Sequence, residues 1–298
     1  MKRALPDAGE QRGEPRAAPA TGPELLVAVL DARLAAESSA EVPALFCLWD
    51  SLLVLLRAHG AVGADNRACL FGASSRAVRL LAEGRAAEAD WAPARPACAQ
   101  LCLEEHACDG APQFALGLSL ALCYANRLQR EDPALRPRVL AIDCSRGEAD
   151  LAAQSAAIIS CAYAARAAGV PVDCLSLGPA PSAALRQAAA LSGGRHLALP
   201  AASSGEPLAE VLAPALLFHF LPGVAVRGAL NATEDAPSLA AVCACHGEPQ
   251  EVAFVCSCCL APYCSDAPAI CQACRTRFRP ERESDRRLRE LAPEEVCA

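Results

Sequence analysis

Aromatic side chains are scarce in this 298-residue chain: Phe, Trp and Tyr together make up 4% of it. A core of ordinary size must then be filled by Ala, Leu and Val, which predicts an aliphatic, helix-rich interior. No apolar run reaches the roughly 18–20 residues that a membrane-spanning helix needs. The best candidate, residues 209–221, is short and contains Pro214 and His219, so no membrane association is expected. The first 23 residues mix Ala, Pro, Arg and Gly without an apolar block; they carry no secretory signal and read as a disordered leader. With no export route the 18 cysteines should stay reduced, and Asn231-Ala232-Thr233 has no role as a glycosylation acceptor.

Nucleotide-binding loops are missing as well. The first apolar strand runs into Asp31-Ala32-Arg33-Leu34-Ala35, where a dinucleotide fold would need a glycine-rich turn, and no Walker-type loop occurs anywhere. Gly193-Gly194 reads as a helix stop. No small-molecule substrate and no organic cofactor is expected. A net charge of −7 excludes a chain-wide nucleic-acid surface. His59, His106, His196 and His219 have no neighbouring nucleophile–acid pattern, so side-chain catalysis finds no support.

What the chain does contain is an alternation of short apolar strands and longer helical stretches. Residues 24–31 and 138–143 are apolar runs that end in Asp31 and Asp143, as central parallel strands do when both faces are buried. Helical spacing covers 43–60, 113–130, 148–168, 182–191 and 208–220. Residues 67–73 and 77–81 read as a hairpin around Ser74-Ser75-Arg76, 170–177 as a strand and 195–199 as a short edge strand. Residues 83–110, acidic and proline-bearing, read as a long insertion in which Glu104, Glu105 and Asp109 are solvated. The fold class is therefore α/β: a doubly wound, mostly parallel sheet with helices on both faces. Cys47, Cys69, Cys123, Cys161 and Cys174 stand among apolar neighbours and read as small buried hydrophobes.

The densest chemistry lies near the C-terminus, where residues 243–274 hold 8 of the 18 cysteines. Cys256 and Cys259 form one Cys-x2-Cys pair and Cys271 and Cys274 a second, with 11 residues between. A tight turn presents two sulfurs to one ion, and two such pairs complete a closed tetrahedral Zn2+ site. Such an ion is structural, since no coordination position stays open to water or substrate. Cys243, Cys245, His246 and Cys264 offer ligands for a possible second zinc, and interleaving of the two sets would give a RING-like cross-brace. The sequence leaves open whether one ion or two is held.

An Asp at the end of the first strand resembles the von Willebrand factor A domain, whose family builds a metal-ion-dependent adhesion site on Asp-x-Ser-x-Ser. Arg33 and Ala35 stand where that motif has its serines. Those hydroxyls help complete the octahedral oxygen shell of Mg2+, so Mg2+ is not expected here. Asp31 and Asp143 are expected to cap backbone amides or pair with Arg instead.

A sheet domain of this kind followed by a cysteine module is similar to the smaller of the two von Willebrand A-like subunits of the general transcription and DNA-repair factor TFIIH. The resemblance is carried by residues 25–32, 116–127, 138–142 and 191–194, and by Phe220-Leu221-Pro222. It continues through Cys243-Ala244-Cys245-His246, residues 254–260 and 270–274. The implied domains are a leader (1–23), a von Willebrand A-like domain (24–221), a linker (222–241), a C4-type zinc module (242–279) and a charged tail (280–298). The resemblance implies a nuclear, non-enzymatic subunit that supports transcription initiation and nucleotide excision repair. Its implied partners are the other von Willebrand A-like subunit and neighbouring core subunits, with residues 209–221 and the loops near Asp31 and Asp143 as candidate contacts. Two alternatives come from the residues themselves. One is a RING-like ubiquitin ligase. The other is nucleic-acid binding through Arg275, Arg277, Arg279, Arg282, Arg286, Arg287 and Arg289, although Glu281, Glu283, Asp285 and Glu290 interleave with them.

Overall fold

The computed structural model describes residues 22–35, 43–104, 111–144, 151, 153–177, 181–199, 208–227, 230, 241–246, 249–250, 253–264, 269–272 and 274–278. Most of the leader and the tail from residue 279 onward, with their arginines, lie outside these residues, as do His106 and Asp109. The chain forms two compact units, residues 1–238 and 239–298.

The first unit is built on six strands: β1 (Glu24–Asp31), β2 (Arg67–Ala73), β3 (Val78–Arg85), β4 (Arg136–Asp143), β5 (Val172–Ser176) and β6 (His196–Ala198). Their order is β3-β2-β1-β4-β5-β6, parallel throughout except for β3, which returns antiparallel along β2. The helices are α1 (Pro43–Val62), α2 (Ala94–Glu104), α3 (Phe114–Glu131), α4 (Ser155–Ala168), α5 (Ala183–Ser192), α6 (Leu208–Ala215) and the short α7 (Val224–Arg227).

The alternation of side chains along a strand explains why two helical layers form. Leu25, Val27 and Val29 of β1 join Val139 and Ala141 of β4 on one face, under Phe114, Leu118 and Ala121 of α3, Ile158 of α4 and Leu185 of α5. Leu26, Ala28 and Leu30 join Leu140 and Ile142 on the other face, under Leu48, Leu52, Leu55 and Leu56 of α1 and Leu212 of α6. These β1 residues are all buried, which accounts for the unbroken apolar run. At Gly117 α3 approaches so closely that a Cβ would lie 2.6 Å from Val29 Cγ1. The expected helix stop at Gly193 is a left-handed C-cap, φ 79°, after α5.

Three expectations are corrected. Residues 83–104 are not an open insertion, and 105–110 of the expected insertion lie outside the described residues. β3 runs on to Arg85, and α2 follows, with Trp91, Ala94, Cys98 and Leu101 buried against the α1 face of the sheet. Nor does the linker begin at Pro222. α7 brings Arg227 back onto β5, where its Nη1 and Nη2 donate to Asp173 Oδ1 and Oδ2 at 2.6 and 2.5 Å. Both side chains are buried, and Arg227 Nε also donates to Pro222 O at 3.0 Å. Nearby, Arg138 donates to the carbonyls of Phe220 and Leu221. A buried carboxylate needs such a partner, so residues 220–227 belong to the sheet domain. Of the helical stretch expected over 148–168, Leu151 and α4 from Ser155 are helical with a turn at residues 153–154 between them, while 148–150 lie outside the described residues. Cys123 is exposed rather than buried. Among the described residues no helix is long and apolar enough to cross a membrane.

Pro214 sits inside α6, where it lacks an N–H donor. The chain continues as a wide π-type turn, Leu216–Phe220, closed by Leu221 N donating to Leu216 O at 3.1 Å. Leu212, Leu216 and Phe220 thereby stay buried while Phe218 is 73% exposed.

Candidate metal centre

Two places in the chain carry residues that suggest a cation, and they have opposite outcomes. The first is the topological switch point of the sheet, between the carboxyl ends of β1 and β4, where ligands of doubly wound folds bind. Asp31 and Asp143 end these strands, both buried. The space beside Asp31 is taken by Arg33. Its Nη2 donates to Asp31 Oδ2 at 2.7 Å, and its Nε lies 3.0 Å from both carboxylate oxygens. Arg33 N donates to Oδ1 at 3.0 Å and Cys144 N to Oδ2 at 3.3 Å. The expected Arg pairing and amide capping are both present. Arg33 and Ala35 offer a cation no hydroxyl where the adhesion motif has its serines, and a guanidinium already neutralises Asp31, so this residue set does not fit a divalent ion.

The second place is the cysteine module. In it β7 (Ala241–Val242) pairs with β8 (Pro249–Gln250), and β9 (Phe254–Val255) with β10 (Pro262–Tyr263), both antiparallel. Cys256-x2-Cys259 and Cys271-x2-Cys274 are two copies of one turn. Cys256 N donates to Ala261 O (2.9 Å) and Leu260 N to Cys256 O (2.8 Å). In the second copy Cys271 N donates to Thr276 O (2.8 Å) and Arg275 N to Cys271 O (2.9 Å). The residue after each pair is left-handed, Leu260 at φ 61° and Arg275 at φ 63°. Each turn delivers two sulfurs to one side, and the four Sγ atoms lie within 4.8 Å of one another. Cys256 to Cys274 is 3.7 Å and Cys259 to Cys271 3.6 Å. A tetrahedron with metal–sulfur bonds of about 2.3 Å has edges of about 3.8 Å. This set can hold a metal ion.

Cys243, Cys245, His246 and Cys264 form the second set, again within 4.8 Å. Ala244 N donates to Pro262 O at 2.8 Å, which lays the Cys243–His246 loop beside β10. Since Cys264 follows the first turn of the other set and precedes the second, the two sets interleave along the chain.

The surroundings ionise some of these thiols. Thr276, through its side chain and then its amide, lowers Cys274 to about 6. Burial pushes Cys243 up, but contacts with Cys245 and the amides of Cys245, Cys264 and His246 bring it down to about 6. Burial likewise opposes ionisation of Cys271, and the Tyr263 hydroxyl 3.1 Å from its sulfur leads the groups that lower it. Cys245 and Cys259 are pushed up to about 12, first by burial. Each set thus has a thiolate ready for a cation and a thiol that needs one in order to ionise.

Tyr263, which ligand spacing does not reveal, supports the site directly. It is fully buried, its hydroxyl also accepts from Gln272 N at 2.9 Å, and its ring packs edge-on against Phe278 at 5.4 Å. Thr276 is the other supporting residue that spacing does not reveal. Cys258, the extra thiol inside the first pair, is exposed. Of the histidines, His59 is buried in α1 with Nε2 3.3 Å from Arg67 O. Burial, aided by the Arg138 charge, lowers it to about 4. His196 Nε2 lies 3.1 Å from Ser176 Oγ.

A doubly wound, mostly parallel sheet domain followed by a cysteine module with two potential metal clusters defines the class. Residues 95–275 match the family model described as Transcription factor Tfb4, well over half of the chain, and the chain belongs to this family. It is 28% identical over 284 residues to the Schizosaccharomyces pombe protein named General transcription and DNA repair factor IIH subunit tfb4, covering 87% of this chain and 90% of that one. It is 31% identical over 166 residues to General transcription factor IIH subunit 3 of Dictyostelium discoideum, covering 55% of this chain. That match spans only 42% of the Dictyostelium protein's length. Among solved structures, the crystal structure of the TFIIH p34 N-terminal domain is similar, with 21% identity and a TM-score of 0.47 over 66% of this chain and 98% of that one.

Proposed function

We propose that this chain is a non-catalytic structural subunit of the TFIIH core, acting in the nucleus in transcription initiation and nucleotide excision repair. The observation that carries this reading is the extent of the family match, which runs from α2 to the end of the second cysteine turn and so takes in both units. The sheet domain docks the other von Willebrand A-like subunit, and the module is a folded handle for the assembly. Its Cys256, Cys259, Cys271 and Cys274 hold a structural zinc ion, because four thiolates at tetrahedral spacing are the donor set of a closed zinc site. That ion supplies folding free energy and no chemistry.

One candidate contact is the turn after α6, where Phe218 is exposed between the buried Leu216 and Phe220. An exposed aromatic on a rigid turn is the kind of side chain that anchors an interface. The test is co-purification of the full chain with the other von Willebrand A-like subunit, monitored by size-exclusion chromatography. Co-elution, weakened by Phe218→Asp, is expected. Separate elution of the folded proteins overturns the reading.

The interleaving of the ligand sets also favours the RING-like alternative. Discharge of ubiquitin from a charged conjugating enzyme by the zinc-loaded chain would establish it; no discharge removes it.

A further inference from the structure

We infer that the module holds two ions, the second a structural zinc in the set Cys243, Cys245, His246 and Cys264, cross-braced with the first. Five distances define this set. His246 Nδ1 lies 3.2, 3.4 and 3.9 Å from the sulfurs of Cys245, Cys264 and Cys243. Sulfur and nitrogen at about 2.3 and about 2.0–2.1 Å from a tetrahedral zinc are about 3.5 Å apart, inside this range. Cys245 to Cys264 is 3.4 Å, near the sulfur–sulfur edge. Cys243 to Cys245, at 2.7 Å, is tighter and opens by about 1 Å when an ion enters.

Two further observations point the same way. Cys264 N and Cys245 N both donate to Cys243 Sγ, at 3.2 and 3.4 Å. In the other set Cys274 N donates to Cys271 Sγ at 3.4 Å. Amide donors around sulfur stabilise a metal-bound thiolate, so the two sets share one construction. The module also has almost no apolar core to replace an ion. Among its described residues, the buried side chains other than cysteine are Ala261 and Tyr263. With so little packing, the Cys243–His246 loop needs a ligand-borne anchor to stay beside β10.

The two sites are also joined covalently through neighbours. Tyr263 touches the sulfur of Cys271 in one set, and the next residue, Cys264, is a ligand in the other. Ordering β10 for one ion therefore places a ligand for the second. Three thiolates and an imidazole at tetrahedral spacing select zinc among the abundant divalent ions. The inference uses the zinc reading of the four-cysteine set for the identity of the ion and is independent of the assembly role.

The test is native mass spectrometry of the full chain, purified under reducing conditions and supplied with Zn2+, together with zinc-edge X-ray absorption. Two ions per chain are expected, with an average shell of seven sulfurs to one nitrogen. His246→Ala should lose one ion and keep the other. His246→Cys should keep two in an all-sulfur shell, which separates a lost ligand from a misfolded module. A single ion in the native chain, unchanged by His246→Ala, overturns the inference. So does a chain two hydrogens lighter from a Cys243–Cys245 disulfide. Either result would leave the assembly role standing, and failed co-purification would leave the stoichiometry untouched.

Discussion

The switch point of the sheet and the cysteine module differ in what replaces solvent around a buried charge. At the end of β1 one residue, Arg33, brings its guanidinium back onto Asp31 two positions earlier. The charge is neutralised by the chain itself, and the surrounding sheet is held by extensive aliphatic packing on both faces. In the module two sets of four ligands converge where there is almost no apolar core. A domain with a core can spare its metal, and a module without one cannot. Among the described residues, the cysteine and histidine clusters that could hold a metal ion lie where apolar packing is least.

Chelation should expose this contrast most strongly. Structural zinc contributes on the order of 10 kcal/mol in small zinc-finger domains. Treating the full chain with a strong chelator should abolish amide protection in residues 241–278 while the melting of the sheet domain stays in place. Hydrogen exchange read by mass spectrometry separates the two. If both units lose protection together, the sheet domain is not self-sufficient and the comparison fails.

Arg33→Ala attacks the other side. Among the described residues, it leaves the fully buried Asp31 carboxylate with the amides of residues 33 and 144. Removing one partner of a buried pair costs about 3–5 kcal/mol, and these surviving amides place the loss near 3. Asp31→Asn should cost less, since the Arg33 side chain is partly exposed and can turn to water. Melting curves of the sheet domain within the full chain give both values. Equal losses would mean that the guanidinium needs its partner as much as the carboxylate does.

The same contrast governs what was legible in the sequence. The strands of the sheet announce themselves because β1 and β4 are buried on both faces, and the Asp31–Arg33 pairing because it spans two residues. The four-cysteine set was legible because each Cys-x2-Cys turn is local, whereas Cys243, Cys245, His246 and Cys264, spread over 22 residues without that spacing, were legible only as a possible second set. What escaped depends on distant partners. Asp173 and Arg227 are 54 positions apart, so residues 222–227 looked like linker. α2 buries Ala94, Cys98 and Leu101 at helical spacing, but two of these are small and its surroundings are acidic and proline-bearing, so the apolar stripe was faint. Tyr263 reads as a hydrophobe until the fold brings Cys271 to its hydroxyl.

Tyr263→Phe removes that hydroxyl while keeping the ring against Phe278. Gln272 N loses its acceptor and the Cys271 sulfur a donor. Groups that support a ligand are worth about 10–100-fold in metal affinity, about 1.4–2.7 kcal/mol. Competition with a chromophoric chelator should show that loss at one ion per chain, the four-cysteine one, with the Cys3His ion less affected. Equal weakening at both would show that β10 transmits strain across the whole module.

The smallest effect concerns Leu260, the left-handed residue that closes the first turn. A non-glycine residue there costs roughly 1–2 kcal/mol, and glycine would avoid it at the expense of about 0.5–1 kcal/mol of extra freedom in the unfolded chain. Leu260→Gly should therefore stabilise the zinc-loaded module slightly, by about 0.5 kcal/mol, read as slower zinc release to a chelator. The native residue is also 62% exposed, so its side chain stabilises little inside the module. A strained and exposed leucine is retained more readily for a contact outside the module than for its fold. The decisive pair of measurements is zinc release from the free variant and co-purification of the variant with the partner subunit. Slower release with weaker co-purification would assign Leu260 to the interface. Faster release would show instead that its side chain packs within the module and that the turn is not strained.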